Sequence, residues 1–351
     1  GIWVGGQTTL GMGKKSHRPH IENKHQFRSL GTMLHRVPFF VQTTLRRAYT
    51  STSLSKGSAP SSVWDIDITD IFSANNELAS DHPGFQDAEY RQRRKVIAEL
   101  AANYKGGPIP SVPYSLEEDE VWKKCFERVG ALLPTHACQA HIETLQEMQE
   151  NNVLSKDKVP QLEPISCYLQ KKTGFRLRPV LGLLHPRQFL NGLAFRVFHS
   201  TQYIRHHSRP FYTPEPDVVH ELLGHAPMLA IPDFADMTQT IGLASLGASD
   251  EEITALSSVY WFSVEFGLVK EGGQRKIMGA GILSSFGEME NAMSDIPEVR
   301  SFVPEEAART SYPITTYQPI LWMADDMQTA KKQLRDYAKS FSNFRNAYQA
   351  N

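Results

Sequence analysis

Apolar positions recur at helical spacing through most of the chain beyond residue 63. Between Glu89 and Tyr104, the residues Tyr90, Ile97, Leu100, Ala101 and Tyr104 share one face, and Gly106-Gly107-Pro108 ends the run. Leu116 to Leu133 and Ala137 to Asn151 read as two further helices, with Pro134 separating them. Ser249-Asp250-Glu251-Glu252 has the Ser-x-x-Glu spacing of a capping box. It opens a helix striped by Ile253, Leu256, Tyr260, Trp261 and Val264. Met327, Ala330, Leu334, Tyr337 and Phe341 mark a closing helix with its charges outward. Leu177 to Leu184, Ile277 to Leu283 and Tyr317 to Met323 read as short strands. The pattern predicts a mainly α fold with small antiparallel β elements.

The first 62 residues break this pattern. They are rich in Ser and Thr and hold nine Lys and Arg against one acid, Glu22. That is the composition of an organellar address. Arg47 to Ser51 resembles a mitochondrial processing site cut after Tyr49, and residues 50–62 have the composition of a flexible linker. A mitochondrial location is the expectation, with a plastid or a cytoplasmic tail as alternatives. The domain division is therefore 1–62 as address and linker, and 63–351 as one packed domain.

Composition narrows the function classes. The 351 residues are 40% hydrophobic and 21% charged, as globular proteins are. The net charge of −1 splits into about +8 on residues 1–62 and about −9 on the rest, so no nucleic-acid partner is expected. No apolar stretch is long enough to cross a bilayer, so no membrane partner is expected either. Cys125, Cys138 and Cys167 are few and scattered, which suits a reducing compartment rather than a disulfide framework.

The chemistry centres on Tyr212 to Leu229, Y-T-P-E-P-D-V-V-H-E-L-L-G-H-A-P-M-L. Asp217 after Pro216 reads as a helix start, and Gly224 as the break that ends the helix before His225. His220 and His225 are five residues apart, whereas zinc peptidases place two histidines four apart on one helical face. From spacing alone, one core and one surface histidine fit as well as a metal pair. Glu265, on the edge of the Tyr260–Val264 stripe, is the candidate third ligand. A carboxylate pressed among aromatics needs a partner such as a divalent cation, although a glutamate tip in solvent fits the same position. Two imidazoles and one carboxylate with open positions opposite would make the facial triad of non-haem ferrous oxygenases.

Six ordered blocks then identify the chain as similar to the catalytic domain of the pterin-dependent aromatic amino acid hydroxylases. They are Thr173 to Val180, Leu193 to His206, Tyr212 to His225, Ile241 to Asp250, Tyr260 to Leu268 and Gly279 to Phe286. The resemblance runs from about Trp64 to about Tyr337. It implies Fe(II) held by His220, His225 and Glu265, tetrahydrobiopterin or a reduced folate as electron donor, and O2 as co-substrate. Phe189 would stack on the pterin, Gly182 and Leu184 would read its polar edge, His199 would line its pocket, and Glu221 would reach it through water. Arg205 would clamp the substrate carboxylate. Thr213, Pro214, Trp261, Phe266, Gly281 and Ser284 would complete the amino-acid pocket, with Ser284 also holding an iron-bound histidine in place. Tyrosine-specific relatives carry an acid where this chain has Ile314, and tryptophan-specific ones tend to carry Phe in place of Trp261. The implied reaction is ring hydroxylation of L-phenylalanine to L-tyrosine; tryptophan or tyrosine hydroxylation in the same family is the alternative. Relatives end in a tetramerising arm that is not seen before Asn351, so a monomer or dimer is expected rather than a tetramer. Outside the family, a zinc hydrolase built on H-E-L-L-G-H and a catalytically inert scaffold are the competing readings.

Overall fold

The computed structural model describes residues 59–67, 78–314, 316–342 and 344. The basic segment and its cleavage-like stretch near Tyr49 lie outside them. Helices dominate. Those expected from periodicity form at Ala88–Asn103, Leu116–Gly130, Gln139–Glu150 and Met327–Ala338. Pro134 lies between Leu116–Gly130 and Gln139–Glu150, as expected. It sits in the first turn of a short helix, Leu133–His136, where its missing N–H costs nothing. The main core holds Trp122, Phe175, Phe198, Phe234, Phe262 and Trp322, all buried.

Strands are short. β1 (Arg176–Pro179) pairs with β2 (Val197–Ser200), and β3 (Gly267–Glu271), β4 (Gln274–Ile277), β5 (Glu298–Ser301) and β6 (Ile320–Ala324) form a sheet in the order β4-β3-β6-β5. Small sheets on a mainly α fold match the expectation, but the antiparallel pairing holds only for β3–β4. That hairpin turns on Gly272 and Gly273, both at positive φ, as a two-residue turn of this hand requires. The other three pairings are parallel, because helical crossovers such as Pro186–Ala194 between β1 and β2 intervene. The expected strand Ile277 to Leu283 is instead the end of β4 followed by a helical turn, Ala280–Leu283. Among the described residues, no helix is long and apolar enough to cross a membrane.

Two helices contain a widened turn. One runs from Val218, passes through a π-turn at His220–His225, and continues as Ala226–Leu229. The other is Asp250–Tyr260, opened by the expected Ser249 capping box and extended by a π-turn at Trp261–Glu265. Single π-turns inside α-helices are rare and concentrate at functional sites.

Candidate metal centre

In a regular helix, five residues advance the second side chain about 140° around the axis from the first. The chain does not correct this by breaking at Gly224, as expected. Ala226 N–H bonds the Glu221 carbonyl five residues back, and the enlarged turn returns His225 to the side of His220. Gly224 serves a different need. A Cβ there would lie 2.4 Å from the Ala280 carbonyl oxygen, so glycine permits the turn Ala280–Leu283 to approach. Asp217 does start the helix, its Oδ1 accepting from His220 N–H at 3.2 Å. The second π-turn closes through Phe266 N–H to the Trp261 carbonyl at 2.8 Å and aims Glu265 inward.

The three side chains meet. His220 Nε2 and His225 Nε2 are 3.0 Å apart, Glu265 Oε1 is 3.0 Å from His225 Nε2, and Glu265 Oε2 is 3.7 Å from His220 Nε2. Two donors about 2.1 Å from one octahedral ion and at right angles stand about 3.0 Å apart, so the spacing fits neighbouring positions around a single cation. Glu265 is buried, not solvated at its tip. Burial would raise its carboxyl, but the imidazoles of His225 and His220 outweigh it and hold the group at about 2. Burial pushes His220 down to about 4 against the pull of Glu265. A carboxylate beside a neutral imidazole is the protonation state a metal requires.

Ser284 sets the His220 tautomer. Its hydroxyl lies 2.9 Å from the Ala280 carbonyl, which can only accept, and 3.0 Å from His220 Nδ1. The single hydroxyl proton goes to Ala280, so Nδ1–H donates to Ser284 and Nε2 keeps its lone pair for the cluster.

Several residues of the two expected pockets adjoin this cluster, and others are buried elsewhere in the domain. A Cβ on Gly281 would stand 3.0 Å from Glu265 Oε2 and 3.2 Å from the Phe266 ring. Trp261 stacks on Phe266 at 4.6 Å and on Tyr312 at 4.4 Å. Phe189 meets Phe198 and Tyr260 edge-on; Phe198 lies against His225, and the buried Tyr260 hydroxyl faces the Glu265 carboxylate without a hydrogen bond of normal geometry. His199 is buried with neither ring nitrogen bonded, and burial lowers it to about 3. Gly182 and Leu184 are buried on the segment between β1 and Phe189. Glu221 is buried against Thr201, whose hydroxyl donates to it at 3.3 Å, and burial with nearby Glu265 raises its carboxyl well above the usual range.

Arg205 is already engaged. Its Nε and Nη2 hold Asp217 at 2.8 and 2.7 Å, and Nη1 has one long contact, 3.5 Å to the Pro210 carbonyl. Asp217 thus joins Arg205 to the start of the His220 helix, a role the sequence reading missed because it saw only a helix cap. Thr213 folds its hydroxyl onto the Glu215 carbonyl, Pro214 is exposed in the same turn, and Ile314 is exposed on the loop after Tyr312. No hydrogen bond or ion pair joins these three to the cluster among the described residues. Gln318 was also missed. It accepts from Trp261 Nε1–H at 3.0 Å and donates to the Pro313 carbonyl at 2.9 Å, fixing the Trp261 wall to the Ile314 loop.

The chain is similar to known hydroxylases and monooxygenases. A phenylalanine-4-hydroxylase of Dictyostelium discoideum is 52% identical over 285 residues, covering 80% of this chain and 65% of that protein. A tyrosine 3-monooxygenase of Mus musculus is 54% identical over 263 residues, covering 75% and 53%. The chain spans about half to two thirds of the length of the curated relatives it matches. A solved Chromobacterium violaceum phenylalanine hydroxylase, with bound iron (III) and 7,8-dihydrobiopterin, superposes with a TM-score of 0.60 at 32% identity, over 68% of this chain and 83% of that one. The family model for biopterin-dependent aromatic amino acid hydroxylases matches residues 59–350, and the chain belongs to that family.

Proposed function

We propose that the chain is an iron- and tetrahydropterin-dependent monooxygenase that converts L-phenylalanine to L-tyrosine. The observation that carries this reading is the convergence of His220, His225 and Glu265 at octahedral spacing beside the Trp261–Phe266 wall. When bound, ferrous iron and the tetrahydropterin supply the O2 activation and the two electrons that ring hydroxylation needs. The protein's own part is placement. Phe189 offers a planar face for the pterin, and the two unpartnered His199 nitrogens are buried polar atoms that a heterocycle with donors and acceptors would satisfy. Tetrahydrobiopterin and a reduced folate both present such edges. The end of the Arg205 fork left free by Asp217 accepts the amino-acid carboxylate, while Trp261 and Phe266 flank the ring.

The neighbouring relatives act on two different rings, so the choice of phenylalanine rests on aliphatic Ile314 and on Trp261, whose bulk crowds an indole. Peptide hydrolysis on H-E-L-L-G-H fits poorly. Glu221, which stands where a peptidase base would, is turned onto Thr201, and burial raises its carboxyl well above the usual range. The test is product analysis on the iron-loaded chain with each of three aromatic amino acids and either tetrahydrobiopterin or tetrahydrofolate. Tyrosine formed from phenylalanine, requiring both iron and a reductant, is expected. Preferential hydroxylation of tyrosine or tryptophan would overturn the substrate assignment, and no turnover with either reductant would overturn the activity.

A further inference from the structure

A second group of metal-competent side chains, sharing no residue with the first, lies where the chain enters its first long helix. Asp87 caps that helix, Ala88–Asn103, with Oδ1 accepting from Tyr90 N–H at 2.9 Å; this leaves Oδ2 facing His206 Nε2 at 3.1 Å. His207 follows, its ring 4.2 Å from that of His206. One donor atom from each of Asp87, His206 and His207 lies within 4.8 Å of the others. Glu117, in the first turn of Leu116–Gly130, reaches His207 Nδ1 at 3.1 Å.

We infer that Asp87, His206 and His207, with Glu117 as fourth ligand, form a binding site for a zinc-class divalent cation. Two imidazoles and carboxylates select borderline transition ions over Mg2+ and Ca2+, which prefer all-oxygen sets. Donors about 2.05 Å from a tetrahedral ion stand about 3.3 Å apart, close to the Asp87–His206 separation. The position of the His206 ring is fixed in advance. His206 is buried, the Tyr90 ring packs edge-on against it, and the Tyr90 hydroxyl is anchored on the Ile204 carbonyl at 2.9 Å. Ser208 Oγ lies 2.7 Å from His206 Nδ1 and can take its proton, freeing Nε2 for the ion; Ser208 N–H, 3.2 Å from the same nitrogen, gives up its bond in that tautomer. His207 and Glu117 are exposed and close the shell by rotamer change. The ion would tie two helix starts to the loop that follows Arg205.

The test is zinc titration of the iron-loaded full chain, with bound zinc and retained iron counted by mass spectrometry and melting followed in parallel. Zinc is expected to bind without displacing iron and to raise the melting temperature. His207→Ala and Asp87→Asn, which keeps a capping oxygen, should each weaken zinc about tenfold or more and abolish the shift. His225→Ala, titrated without iron, should retain the zinc-dependent shift, since its ring belongs to the other cluster. Cobalt bound in place of zinc should give the visible absorption of a tetrahedral site, lost in His207→Ala. Equal zinc affinity and an equal shift in His207→Ala, or zinc uptake matched by iron release, would overturn the inference.

Discussion

Replacing Ser284 by alanine isolates the device that orients His220. The serine is 5% exposed, and its hydroxyl is the acceptor for the Nδ1–H of an imidazole whose other nitrogen faces the cluster. Alanine leaves that N–H without a partner in a dry setting, at a cost of about 1–3 kcal/mol. At about 1.36 kcal/mol per tenfold, ferrous affinity should fall by roughly 5- to 150-fold. The imidazole also becomes free to adopt the other tautomer, which places a proton where the ion should sit. Ferrous affinity is read by anaerobic competition with a chelator, alongside circular dichroism of the metal-free chain to confirm that it folds. An affinity within twofold of the parent in a folded variant would refute the tautomer argument.

Glu265→Gln removes a buried donor and its charge, and should weaken ferrous binding by more than about a hundredfold, beyond the range of an outer partner; full iron retention after dialysis against chelator would count against the ligand assignment. Gln318→Ala deprives Trp261 Nε1–H and the Pro313 carbonyl of their shared partner, and should raise KM for the amino acid roughly tenfold while KM for the pterin holds. Ile314→Asp supplies an acceptor for a phenolic hydroxyl and should move the ratio of kcat/KM values toward tyrosine by roughly tenfold; an unchanged ratio would assign specificity elsewhere. Glu288 is buried, and burial raises it from 4.5 to about 7. A raised carboxyl means the unfolded chain releases its proton first, so stability falls as pH rises from 4.5 to 7, by about 3 kcal/mol for this group. Glu288→Gln should flatten denaturant-melt stability across that window, and an unaltered slope would show that other groups set it.

The helices were legible because they leave local signals, whereas His220, His225 and Glu265 stayed open on spacing alone until the family resemblance named them as a set. The Ser249 capping box, the Asp217 start and the apolar stripes read directly onto observed elements. What local pattern could not carry was the shape of the turns. H-E-L-L-G-H does not announce a π-turn, since the widening is selected by contacts from distant parts of the chain, such as Ala280 against Gly224. Strand direction was missed for a related reason: parallel pairing is fixed by the crossovers, not by the strands' own residues. Asp217 shows a third limit. A residue with an evident local job, helix capping, also closes a buried pair with Arg205 twelve residues earlier.

The widened turn between the two histidines amounts to one surplus residue. Deleting Leu222 would leave H-E-L-G-H, the four-residue interval that a regular helix presents on a single side and that zinc peptidases employ. The deletion would also rotate everything downstream by about 100° and draw it back about 1.5 Å, carrying Gly224 off the Ala280 backbone. Two donor arrangements are therefore separated here by a single codon's worth of chain, and it is helical phase, more than the identity of the donors, that sets this cluster apart from the peptidase spacing.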